Sequence, residues 1–270
     1  DGAEMIMTNP SVNAAFAPIQ AAPQFYDASD ALESSSELGM PVIAWVNDLT
    51  NSMYADWPKT LKDMMRYRWM SGLPLIQQNF FQLVVLLDMR DPRALLLLGM
   101  YLDATLMDYA IRWGIVPLLE DEDCHVLAQI LWLGMEQLAA LEIPLFLQKL
   151  AATPLTPEGR VDPKQARAVL RSMLPASAQE DNELMAFLNG GERISGYKRL
   201  LELAKSYLGR LHTMKRPGSS GVAYFNGQEV SLDEHLISQV FAATKYQLQM
   251  AWDDITDGYI DSQDRYTRYF

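Results

Sequence analysis

The chain has 270 residues, 49% of them apolar, which is enough to bury a sizeable core as one large domain or two smaller ones. Lys and Arg number 22 against 34 Asp and Glu, and the net charge of −12 repels polyanions, which argues against nucleic acid as the main partner. No apolar stretch approaches the ~20 residues that cross a bilayer, so no membrane span is expected, and a single cysteine, Cys124, leaves no internal disulfide and points to the cytoplasm or nucleus.

Residues 1–22 are rich in Ala, Pro, Asn and Thr without a sustained period, and read as an extended arm. No Lys or Arg precedes Lys59, so this end of the chain is strongly acidic and suited to a basic surface. Val42, Val46, Leu49 and Met53 then recur at helical spacing. Pro58 opens a second predicted helix through Leu61, Met64, Met65 and Trp69, and Pro74 introduces a third, whose run from Phe80 to Leu87 is apolar on nearly every side. Asp91-Pro92 is an N-cap and first-turn pair for a helix from Arg93 to about Trp113. The acidic run Glu120 to Asp123 stands where a helix dipole favours carboxylates, ahead of a core helix that ends near Pro144.

Thr153 to Asp162 carries two prolines and a glycine and reads as a linker between helical subdomains at 23–152 and 163–257. Asp162-Pro163 starts a helix, a further one near Asn182 to Leu188 is stopped by Gly190-Gly191, and a basic amphipathic helix begins at Ser195. The one strand signal is Val222 to Phe225, Asn226-Gly227, Gln228 to Val230, a two-stranded hairpin with a tight turn. Ser231 and Glu234 have the spacing of a capping box for a long last helix, and residues 258–270 form a tail. The expectation is an all-α bundle of about nine or ten helices with one short β-hairpin.

Candidate chemistry is sparse. Cys124-His125, with Asp121 and Asp123, cannot converge on a metal, because consecutive helical residues point to different faces. His212 and His235 have no Ser or Cys partner in any recognisable triad arrangement. Lys198, Arg199, Lys205 and Arg210 make one helix basic, suiting an acidic partner, and Tyr259, Tyr266 and Tyr269 give the tail amphipathic rings for an interface. Asp253 and Asp257 lie four apart near the end of the last helix, so their carboxylates share a face.

The string Trp252-Asp253-Asp254-Ile255-Thr256-Asp257 resembles the DDxxD motif of class I terpene synthases and isoprenyl diphosphate synthases. That resemblance implies an all-helical fold in which Asp253 and Asp257 hold Mg²⁺ on a prenyl diphosphate, with Lys198, Arg199 or Arg210 taking up the leaving charge. Only residues 258–270 follow the motif, so the second metal-binding element of that family has no place after it.

The function expected is therefore a non-enzymatic helical interaction or assembly protein, without a cofactor, whose acidic terminal segments contact a protein partner or another copy. The Mg²⁺-dependent prenyl diphosphate reaction stands as the alternative, and a ligand-sensing helical regulatory domain as a third reading.

Overall fold

A computed structural model of the protein describes residues 42–59, 75–191, 194–210 and 221–245. Its elements in chain order are β1 (Ala44–Trp45), β2 (Phe81–Leu87), α1 (Pro92–Thr105), β3 (Ile111–Pro117), α2 (Glu122–Gln137), α3 (Ile143–Ala151), α4 (Pro163–Met173), α5 (Asn182–Leu188), α6 (Ser195–Arg210), β4 (Val222–Phe225), β5 (Gln228–Ser231) and α7 (236–245). Five strands form one mixed sheet in the order β1-β3-β2-β4-β5. This corrects the all-α expectation: the molecule is a sheet with helices, not a helical bundle.

The correction has a physical cause in β2 and β3. β2 pairs in parallel with β3, from Phe81 opposite Ile111 to Leu87 opposite Pro117, and antiparallel with β4 on its other side. It is the middle of five strands, and every residue of it except Gln82 is buried. A strand covered on both faces loses the alternation of a half-exposed one and reads as a continuous apolar run. The predicted helix over Phe80 to Leu87 is this strand. Likewise the helix expected to reach Trp113 stops at Thr105, and a turn closed by the Asp108 and Tyr109 amides on the Thr105 carbonyl leads into β3.

The helical spacing of Val42 to Met53 yields the short β1 and a 3-10 turn at Ser52–Tyr54. β1 runs antiparallel to β3, and the Val46 amide extends the pairing to the Trp113 carbonyl at 2.9 Å. Asn47 then completes it. This buried amide donates to the Ile111 carbonyl at 3.0 Å and the Tyr54 hydroxyl at 3.2 Å, and accepts from the Trp113 amide at 2.8 Å. Gly114 admits the edge: a Cβ there would stand 2.6 Å from Ile43 Cγ2 and 2.9 Å from the Trp45 ring.

Several sequence signals locate helix ends as expected. Asp91 accepts the Arg93 amide, Asp121 the Cys124 amide and Asp162 the Lys164 amide, each capping the helix that follows. α2 ends at Gln137, however, and Pro144 lies in the first turn of α3 rather than at the end of a preceding helix. α7 is capped by Asp233, which accepts the His235 amide at 2.8 Å, in place of the expected Ser231 box. The predicted helix through Leu61 and Trp69 lies mostly outside the described residues, as do the arm 1–22 and the tail 258–270.

The β4–β5 hairpin turns through Asn226 (φ 44°) and Gly227 (φ 83°), as the Asn-Gly pair requires. The two-stranded hairpin expected from the sequence is the far side of the main sheet. Strands from before and after Thr153 to Asp162 share one sheet, and that segment is a turn between α3 and α4, held by the isolated bridge of Leu155 to Val161. Around the sheet, α1 packs on α3, α3 and α2 on α4, and α4 on α5. The largest fully buried side chains, among them Trp113, Tyr54, Phe81, Phe146, Phe187 and Phe225, join these layers in one core.

Candidate functional site

In open sheets with parallel strands, ligands gather in the crevice beyond the carboxyl ends of those strands. Here β2 and β3 end side by side, and the Leu118 amide prolongs the ladder to the Leu87 carbonyl at 2.9 Å. The two following turns meet on Arg90. Its Nε donates to Asp88 Oδ1 at 3.0 Å, Nη2 to Asp88 Oδ2 at 3.1 Å and to Glu120, and Nη1 to Asp121 Oδ2 at 2.5 Å. The Arg90 carbonyl accepts the Val161 amide at 3.0 Å, so the Thr153 to Asp162 turn is fastened to the same point.

The electrostatics follow from this geometry. Hydrogen bonds donated to Asp88, then to Glu120, hold the guanidinium pKa above its ordinary value despite burial, so Arg90 stays charged. The Asp121 carboxyl is pulled below the usual range, first by the Cys124 amide and then by the Cys124 side chain and Arg90. Burial pushes the Cys124 thiol up, against the backbone contacts of Asp121 and Glu120 that would lower it. A thiol in that state is a poor nucleophile, because the thiolate is the reactive form.

The chemical capacity of the bracket is therefore limited. All three guanidinium nitrogens already donate to carboxylates, which leaves little for an incoming phosphate or carboxylate. No group of three or more His, Cys, Asp or Glu residues suited to a metal occurs among the described residues. Arg90, Asp88 and Glu120 escaped the sequence reading as a site because they are scattered between two turns. The signal available was the alternation of charge in Asp88-Met89-Arg90-Asp91 at the end of an apolar run.

The residues singled out from sequence fall elsewhere. Lys198, Arg199 and Lys205 are exposed on α6, and Arg210 is its last residue. Lys198, Arg199 and Lys205 share a helix whose buried side includes Tyr197, Leu200, Leu201 and Ala204, so these three cations face outward. Asp253, Asp257, Tyr259, Tyr266 and Tyr269 lie outside the described residues. The all-helical frame implied by the DDxxD resemblance is not the frame of this molecule.

A different surface carries exposed apolar side chains. Leu96, Met100 and Met107 on or just after α1, Leu141 in the 3-10 turn before α3 and Leu145 in its first turn are 45–56% exposed. The two helices meet closely, since a Cβ on Gly99 would lie 2.9 Å from Gln148 Cγ and 3.0 Å from the Pro144 carbonyl oxygen. Met100 and Leu145 directly follow these contact positions in sequence. Arg93, Asp103, Glu142 and Lys149, also exposed, supply charges of both signs on the same helices.

Among the described residues, no helix is long and apolar enough to cross a membrane. A family model described as a thioredoxin-like domain matches residues 26–270. No curated protein matches the chain.

Proposed function

Because the chain belongs to the family of thioredoxin-like domains, we propose that it uses this fold as a non-catalytic protein-interaction module, assembling with a second copy through the outer faces of α1 and α3. The observation that carries the reading is the set of exposed side chains Leu96, Met100, Met107, Leu141 and Leu145 on or beside two packed helices. Apolar surface grouped in this way and accompanied by charges is the composition of an interaction site. Chemistry weighs in the same direction. The thioredoxin dithiol reaction needs two cysteines in a Cys-x-x-Cys arrangement, and these 270 residues contain one cysteine, buried and with a raised pKa.

Sedimentation equilibrium on the whole chain tests the proposal, with the double substitution Met100→Lys and Leu145→Lys as comparison. A mass above the 30.5 kDa of one chain, reduced to one chain by the two lysines, is expected. A parent that is monomeric at every concentration, or an assembly indifferent to both lysines, overturns it. Deleting residues 1–22 asks separately whether the acidic arm contributes; a mass unchanged by the deletion assigns assembly to α1 and α3 alone.

A further inference from the structure

α2 presents His125, Gln129, Trp132 and Glu136 at intervals of four, three and four residues, which places them along one face of the helix. That face meets α6. The Trp132 and Tyr197 rings stack at 6.2 Å, the Tyr197 hydroxyl donates to Glu136 Oε2 at 3.0 Å, and eight residues further along α6 the Lys205 charge acts on His125. The two helices therefore run antiparallel, and the middle of the seam sets Gln129 level with the region of Leu201 and Ala204. Those two side chains are buried and have no hydrogen-bonding atoms.

Gln129 is 0% exposed, yet neither its Oε1 nor its Nε2 has a hydrogen-bond partner in the protein. Trp132 Nε1 and His125 Nε2, on either side of it, are buried and unpartnered too. A buried amide without partners is strongly unfavourable, and such groups in folded proteins are ordinarily satisfied by protein or by water. Four unpartnered atoms on one helical stripe point to a shared ligand rather than to separate defects.

The donor and acceptor pattern identifies its chemistry. Trp132 Nε1 only donates, and Gln129 offers two N–H donors and one carbonyl acceptor. His125 Nδ1 faces Glu122 Oε2 at 3.3 Å, and burial lowers the imidazole pKa, so the neutral ring directs its proton to Glu122 and leaves Nε2 as an acceptor. The occupant must accept from Trp132, donate to His125, and do both with Gln129. A small neutral molecule with both capacities meets this pattern, and Glu136, at the end of the stripe, is already engaged by Tyr197. We propose that the α2–α6 seam is a buried hydration site in which a short file of ordered water links His125, Gln129 and Trp132.

Water-selective nuclear Overhauser spectroscopy on the full chain tests this without any substitution. Cross-peaks of the sign given by long-lived water are expected at the Trp132 indole N–H and the Gln129 side-chain amide. Gln129→Met, similar in shape and unable to hydrogen-bond, should remove the water signal at Trp132 and lower the folded-to-unfolded ratio about tenfold. Absence of both cross-peaks in the folded parent overturns the proposal. Retention of the Trp132 signal in folded Gln129→Met overturns the shared file, since the amide is its central link.

Discussion

The Arg90 guanidinium reaches the Asp121 carboxylate at 2.5 Å, and so joins the turn after β2 to the N-cap of α2. Asp121 serves two elements at once, because its other oxygen accepts the Cys124 amide at 2.9 Å. Its pKa is lower in the folded chain than in an ordinary aspartate. For a depressed carboxyl, the stabilisation is complete above the unfolded pKa and is lost as pH falls through the folded one. Arg90→Met is expected to cost about 1.5 kcal/mol at neutral pH, a value at the low end for charged hydrogen bonds because the carboxylates are partly exposed. Urea unfolding of parent and variant should show the difference shrinking towards about pH 3, where carboxylates begin to protonate.

Cys124 should behave as a sealed thiol. It is buried in the first turn of α2 and its pKa is raised by burial. Modification by an aromatic disulfide reagent is expected to follow the unfolding equilibrium, accelerating with urea in step with the loss of circular dichroism. Rapid labelling in native buffer would contradict the burial of this side chain.

Gly114→Ala tests how β1 is seated. The added methyl would stand 2.6 Å from Ile43 Cγ2 and 2.9 Å from Trp45, with no flexible end to move aside in the β-branched neighbour. Overpacking of this kind costs about 1–3 kcal/mol. The expected result is a lower unfolding midpoint together with a changed Trp45 fluorescence, since Trp45 also lies under the Arg112 guanidinium at 4.0 Å.

These elements differed in how much of them could be read from sequence. Helix starts at Asp91, Asp121 and Asp162 were legible because a cap is a local arrangement of one side chain and an amide two or three residues on. The Asn226-Gly227 turn was legible for the same reason. β2 and β3 were not, since a strand enclosed on both faces loses its period of two, and its pairing partner is not adjacent in sequence. No proline or glycine separates Thr105 from Ile111, so nothing in the composition signalled the end of α1. The Arg90 bracket was hidden differently. Its carboxylates at 120 and 121 have a sufficient local explanation at a helix start, and only the parallel pairing of β2 with β3 brings them to Arg90.

Charge makes the proposed assembly sensitive to salt in a diagnostic direction. Two copies at −12 each repel at long range, whereas the α1 and α3 contacts are apolar and short-ranged. Raising the ionic strength from 0.01 M to 0.15 M shortens the screening length from about 30 Å to about 8 Å. Association should therefore strengthen, and a mass that falls with added salt would indicate an interface held by ion pairs instead.

The turn of the last hairpin gives a further measurable quantity. Asn226 Oδ1 accepts the Gln82 amide at 2.8 Å, and its own amide donates to the Gln82 carbonyl at 2.9 Å. Asn226→Ala removes the side-chain acceptor and places a residue with no local hydrogen bond at φ 44°. A loss of about 2 kcal/mol is expected from strain and the unpartnered amide together. Asn226→Asp retains the acceptor and should lie much closer to the parent in thermal unfolding.

The order β1-β3-β2-β4-β5 also sets a timetable for a nascent chain. β2 can meet β3 soon after both are made, but its other edge waits for β4, whose Val222 pairs with Leu86. At about 5–20 residues per second, the stretch from Leu87 to Val222 leaves that edge open for roughly 7 to 27 s. During this interval Phe81 to Leu87 offers an unpaired apolar ribbon, the feature that templates pairing with foreign strands. The closing hairpin is thus the step that withdraws the middle of the sheet from competition, and ribosome-bound chains halted before residue 222 should be markedly more prone to aggregate than chains that include residue 231.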